Sequence, residues 1–154
     1  MVVDIYPSEV RRQIFEQHKE LRVMLEDIQD LAHHVLGGEA DGAQPLREKA
    51  EQLYESLGRH LDVEDAFLVP ALRETDAFGP DRAEALLEHH QEQRRQLKEA
   101  LWALHDDGHK IHEIATGLLH LVQDLRIDMA HEEKDLLSDK LLRDDPITTD
   151  IFTG

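Results

Sequence analysis

The chain contains no cysteine. Disulfides, thiolate ligands and iron–sulfur clusters are therefore excluded, and any metal must be held by nitrogen and oxygen. Aromatic residues make up only 5%, so aliphatic side chains must fill the core. No uncharged apolar run approaches the ~18 residues of a membrane span. No stretch alternates apolar and polar residues with period two, so no strand is expected. The opening MVVDIYPSEV lacks a basic region followed by an apolar one; no signal peptide is expected, and the cytoplasm is the expected compartment. Positive charge is also scarce, with 17 Lys and Arg against 34 Asp and Glu and a formal net charge of −17. That balance argues against nucleic acid and against anionic membrane surfaces as partners, and it favours solubility.

What remains is a composition for helices. The 154 residues are 40% hydrophobic and 33% charged, enough for one globular domain spanning 1–154. Leu, Ala, Glu, Gln and Arg dominate, and all favour helix. Pro and Gly divide the chain into four long segments. The first runs from about Ser8, a plausible N-cap, to Leu36, where Gly37-Gly38 stops it. The second runs from about Pro45 to Arg73, with Pro70 expected to kink or end it. The third runs from about Pro80 to Asp106, closed by Asp107-Gly108, and the fourth from about Lys110 to Leu142. Residues 143–154 read as an extended surface tail.

Each segment carries an apolar stripe at helical spacing, as in Ile14, Leu21, Leu25, Ile28 and Leu31 of the first. Leu46, Leu53, Leu57 and Leu68 mark the second, and Leu86, Leu97, Leu101 and Leu104 the third. Ile111, Ile114, Leu118, Leu121, Leu125 and Leu136 mark the fourth. One-sided helices with short connections predict an all-α, up-down-up-down antiparallel four-helix bundle.

The chain also repeats itself. LGRHLDVEDAFLVP at 57–70 is echoed by LRIDMAHEEKDLLS at 125–138, matching Leu57 to Leu125, Glu64 to Glu132, Asp65 to Glu133 and Leu68 to Leu136. His60 meets Asp128. In the other halves of the hairpins, His18, Glu20, Arg22 and Leu25 match His90, Glu92, Arg94 and Leu97. His and Glu four residues apart lie on one helical face, a spacing suited to metal ligation.

At roughly 100° per residue, His18, His60, Glu64, His90 and Glu132 fall within the apolar stripes, and Asp128 at the edge of one. At ~1.5 Å per residue all six lie near one level, roughly 15 Å from one end of the bundle. Converging buried carboxylates need protons, partners or a cation. Three imidazoles with three carboxylates suit a transition metal, iron best, with Glu64 and Glu132 able to bridge two ions. The competing reading is a buried histidine–carboxylate hydrogen-bond network. His33, His34, His105, His109 and His112 lie near helix ends and are expected to be exposed. His89 lies at the flank of its stripe, so His90 is preferred. A helix-four register rotated to present His131 and Asp135 would bury Asp124 in place of Leu125. Tyr54 and Trp102 are expected to be packing residues.

With His18, His60-x-x-x-Glu64 followed by Asp65 and Pro70, His90, and Glu132-Glu133 in place, residues 8 to about 142 resemble the hemerythrin-like, or HHE cation-binding, family. The resemblance implies a non-haem di-iron centre, often with an oxo or hydroxo bridge. It makes His18, His60 and His90 terminal ligands and Glu64 and Glu132 bridges. Two departures stand out. The family's oxygen carriers have a second helix-three histidine where this chain has Arg94, and a helix-four histidine where it has Asp128. Fewer imidazoles make reversible oxygen carriage less expected and open metal positions more so. The expected function is binding, sensing or reacting with dioxygen, peroxide or nitric oxide. The alternatives are an iron storage or sensing module and a metal-free structural bundle.

Overall fold

A computed structural model describes residues 2–105, 111–138, 140–142 and 147–150. Helix α1 (Pro7–Leu36) begins with Tyr6 extended at its N-cap and Pro7 in the first turn, where the missing N–H has no helical partner to lose. It therefore starts ahead of Ser8, the expected cap. It stops where Gly38 adopts φ +92°, a left-handed conformation that glycine reaches without a Cβ penalty. A 3-10 turn (Ala40–Gly42) leads into α2 (Ala43–Val63), a π-helical turn (Glu64–Leu68) and α3 (Val69–Arg73).

Pro70 does not end this second arm. The hydrogen-bond register shifts just ahead of it: the Val69 N–H bonds the Glu64 carbonyl, five residues back. The absent proline N–H thus falls at the register change, where an α-helical bond is already interrupted. Helix α4 (Gly79–His105) follows after a tight corner. A Cβ on Gly79 would lie 2.2 Å from the Leu72 carbonyl oxygen, so only glycine lets α4 start this close to the end of α3.

Helix α5 (Ile111–His131) runs into a second π-helical turn (Glu132–Leu136). The fourth arm ends there rather than at Leu142. The Leu137 N–H closes on the Glu132 carbonyl at 2.9 Å, and the next turn is held by Ser138, whose Oγ accepts the Leu141 N–H and whose carbonyl accepts the Leu142 N–H. The α4–α5 connection, with the expected Asp107-Gly108 stop, lies outside the described residues.

The arms pack in a ring: α1 on α2, α2 and α3 on α4, α4 on α5, and α5 back on α1. This is the antiparallel four-helix bundle that the stripes predict. Two features depart from expectation. Val2–Ile5 (β1) pairs antiparallel with Ile147–Asp150 (β2), Val2 opposite Asp150 and Ile5 opposite Ile147. The tail is thus partly a strand, and the expected absence of strands is corrected. Four residues are too few to show a period, and each strand's partner lies at the opposite end of the chain; only the β-branched valines, isoleucines and threonines hint at it. Trp102 and Tyr54 are also not core residues, being 70% and 41% exposed. Trp102 follows Leu101 by one residue and so turns off the buried stripe, where the Lys98 ammonium sits 5.6 Å from its ring centroid. Among the described residues, no helix is long and apolar enough to cross a membrane.

The core comes in two parts. The larger includes Leu21, Leu25, Leu57, Leu61, Leu97, Leu125 and Met129. The smaller, at the end bearing α3, includes Val10, Ile14, Leu68, Leu72, Leu86 and Leu137. The break between them holds the polar residues.

Candidate metal centre

On every arm one polar residue separates the two cores. His18 lies between Ile14 and Leu21, Glu64 between Leu61 and Leu68, His90 between Leu86 and Leu97, and Glu132 between Met129 and Leu137. His60 stands one turn before Glu64. All five are buried, and His18 is wholly so. Apolar layers above and below exclude water from the belt, so its polar groups must satisfy one another or a guest.

Glu64 is the hub. Its Oε1 contacts His60 Nε2 and lies 3.8 Å from His18 Nε2, and its Oε2 lies 3.4 Å from His90 Nε2. Glu132 Oε1 lies 3.1 Å from His18 Nε2, but neither that pair nor the His90 pair has hydrogen-bond geometry. His18 Nε2, Glu64 Oε2, His90 Nε2 and Glu132 Oε1 are consequently buried with no hydrogen-bond partner. Each such atom costs about 1–3 kcal/mol. One potential ligand atom from each of His18, His60, Glu64 and Glu132 lies within 4.8 Å of the others. Neutral imidazole nitrogens and carboxylate oxygens are ligands for a transition-metal cation, so the donor set fits a metal.

The imidazoles are held from behind. His18 Nδ1 pairs with Glu133 Oε2 at 3.1 Å, and Arg22 grips both Glu133 oxygens at 2.7 Å. His90 Nδ1 pairs with Asp65 Oδ1 at 2.6 Å, and Arg94 reaches Asp65 Oδ2 at 3.0 Å. His60 Nδ1 pairs with Gln17 Oε1 at 2.6 Å. An Nδ1–H donated outward to an acceptor leaves the Nε2 lone pair facing the belt, the tautomer a ligand requires. The two arginine relays are repeat-related, and each crosses the repeat. The acid behind His18 comes from the fourth arm, and the acid behind His90 from the second.

Electrostatics separate the two glutamates. Burial alone would raise the Glu64 carboxyl, but His18, His60 and His90 hold it well below the usual range. Glu132 is pushed up, first by burial and then by the nearby charge of Glu64. Burial also works against charge on His18 and His90. The glutamates beside them, with Asp65 for His90, outweigh it and raise the two to about 10 and about 9. Protons thus do in the metal-free belt what a cation would do in the loaded one.

Asp128 stands apart. It is half-buried, and its Oδ2 accepts a hydrogen bond from Gln93 Nε2 at 2.9 Å. It does not join the close ligand group. A carboxylate on the short Asp side chain reaches less far than the imidazole at the matching position, and Gln93 is near enough to take it. Asp128 instead helps to line a small cavity beside the belt, walled also by Leu25, Leu57 and Leu125.

The helix-four register is settled by burial. Leu125 is buried and Asp124 exposed, and His131 pairs with Asp135 on the outer surface at 2.6 Å. His89 is exposed, as are His33, His34, His105 and His112, while His109 lies outside the described residues. Sequence reasoning missed the supporting residues Gln17, Asp65, Glu133, Arg22, Arg94 and Gln93. Four of them carried a signal, since an acid follows each repeated glutamate and an arginine lies four residues after each repeated histidine.

A bundle with two leucine cores parted by a buried histidine–carboxylate belt defines a class: helical-bundle proteins with a buried nitrogen and oxygen site suited to a metal, its close group here being His18, His60, Glu64 and Glu132, with His90 outside that group. The family model for the hemerythrin HHE cation-binding domain matches residues 10–139, and the chain belongs to that family. The matched span includes every belt residue. No curated protein and no solved structure matches the chain.

Proposed function

We propose that the chain is a non-haem di-iron protein that binds, senses or reacts with dioxygen, peroxide or nitric oxide. The observation that carries this reading is two pairs of buried atoms with no hydrogen-bond partner, His18 Nε2 with Glu132 Oε1 at 3.1 Å and His90 Nε2 with Glu64 Oε2 at 3.4 Å. His18, His60 and His90 would ligate through Nε2, and Glu64 and Glu132 would span the two ions. Asp128 would sit beside them as a cavity-wall carboxylate. Iron, when bound, supplies redox chemistry and open positions for a small ligand.

The protein's part is shape, dryness and proton placement. The cavity at the belt is walled by His18, His60, Glu64 and Glu132 together with leucines of three arms. Its leucine walls keep bulk water out. Gln93 and Asp128 bring polar atoms to it, so a guest there meets a hydrogen-bonding side chain as well as the belt.

Elemental analysis with an absorption spectrum of the purified chain tests this. Two irons per chain are expected, with near-ultraviolet bands that shift on adding peroxide or nitric oxide. Protein grown in iron-supplemented medium that holds no metal would overturn it.

A further inference from the structure

The internal cavity beside the metal centre and a surface depression in the α4–α5 seam share two wall residues, Gln93 and Asp128. The hydrogen bond between them, 2.9 Å long, spans the boundary between inside and outside. Beyond it the depression is lined by the exposed His89, Asp124 and Glu92, the last held on both oxygens by Arg95. The repeat-related positions in the first hairpin are filled otherwise. Leu21 stands where Gln93 does and His60 where Asp128 does, and both are buried. An apolar side chain and a belt imidazole close that seam; an amide and a carboxylate close this one.

Resting on the metal-centre reading above, we infer that the α4–α5 seam is the port through which a divalent cation reaches the belt. Gln93 and Asp128 form its gate, and Asp124 and His89 form its mouth. A hydrated cation cannot cross leucine packing without shedding water into apolar surroundings. At the seam it meets carboxylate, imidazole and amide in succession, each able to replace a water. The acidic mouth also raises the local cation concentration. Swinging Gln93 off Asp128 breaks one side-chain hydrogen bond and leaves the Leu25, Leu57 and Leu125 packing in place.

Stopped-flow uptake of cobalt(II) by the metal-free chain, and its removal by a chelator, test the port. Gln93→Leu puts into this seam the residue that closes the other. It is expected to slow both uptake and removal. Asp124→Asn lies at the mouth, away from the belt, and is expected to slow uptake severalfold at low salt. That difference should vanish near 1 M salt, where the screening length is about 3 Å. Unchanged rates in both variants with full metal content would overturn the port. If Gln93→Leu fails to fold, Asp124→Asn alone decides: an unchanged, salt-independent uptake rate overturns it. A parent chain that takes up neither cobalt nor iron would instead overturn the metal-centre reading.

Discussion

The first and second helical hairpins carry matching polar residues but give them unequal work. In the first, His60 and Glu64 both sit in the belt, and Glu64 gathers imidazoles from three of the four arms. In the second, Glu132 has one imidazole within reach, and Asp128 has left the belt for Gln93. Glu64 is consequently held charged and Glu132 is pushed toward its neutral form. What stays equal is the support: each hairpin lends an acid and an arginine to hold a histidine, and each belt glutamate opens a π-helical turn. Such turns widen a helix by one residue and recur at functional sites. The difference teaches that a duplicated frame can carry an asymmetric centre, with one well-paired face and one face left for a guest.

The largest expected effect comes from breaking the hub. Glu64→Ala strips three imidazoles of the carboxylate they share. It should abolish metal binding and destabilise the metal-free chain by about 3–5 kcal/mol in chemical unfolding. Glu132→Gln should lose metal affinity while leaving the metal-free fold about as stable as before, because a neutral amide replaces a carboxyl already pushed toward neutrality. Equal destabilisation by the two substitutions would erase the asymmetry.

Removing one relay should matter less. Asp65→Ala or Glu133→Ala frees an imidazole to rotate and should weaken metal binding by about 10–100-fold in a competitive titration. Asp65→Asn and Glu133→Gln, which keep an acceptor, should restore part of it. No effect from either alanine would mean that the imidazoles are positioned by packing alone.

Asp128→His gives the second hairpin the first one's residue. A modest gain in metal affinity is expected if the position faces the centre, read from the same titration. An unchanged affinity and spectrum would mean that the new imidazole stays with Gln93.

The remaining prediction concerns pH. In the metal-free chain His18 and His90 are raised from 6.5 to about 10 and about 9. Groups raised on folding contribute stability that is complete below their unfolded values and lost as pH climbs through the folded ones. The melting temperature of the metal-free chain should therefore fall between pH 6.5 and pH 10. Bound metal takes the Nε2 positions from protons, so the loaded chain should lose most of that slope. Parallel pH profiles for the two forms would count against the metal occupying these nitrogens.

Four apolar stripes, the breaks between them and the out-of-place polar residues could be read along the chain because they are local: each depends on spacing within one helix. That reading found His18, His60, Glu64, His90 and Glu132 at the core. It placed Asp128 with them because a helical wheel records direction and says nothing of reach or of a neighbour such as Gln93. The relays escaped for a related reason. Asp65 and Glu133 matched in the repeat, but His18 meets Glu133 across 115 residues, a pairing no spacing rule can supply. The π turns at Glu64 and Glu132 also left no local mark, since one slipped hydrogen bond changes no residue pattern.

Composition and periodicity by themselves determined a cysteine-free, acidic helical bundle with histidines and carboxylates turned inward near one level, because the hydrophobic effect acts on every apolar stripe regardless of its partner. Tertiary structure decided the rest. It set which carboxylate is hub and which is pushed toward neutral, which acid stands behind which imidazole, and which seam is polar. It also joined Val2–Ile5 to Ile147–Asp150. These depend on distances of a few ångströms between arms far apart in sequence, where hydrogen bonds and charges, unlike apolar burial, are made or lost.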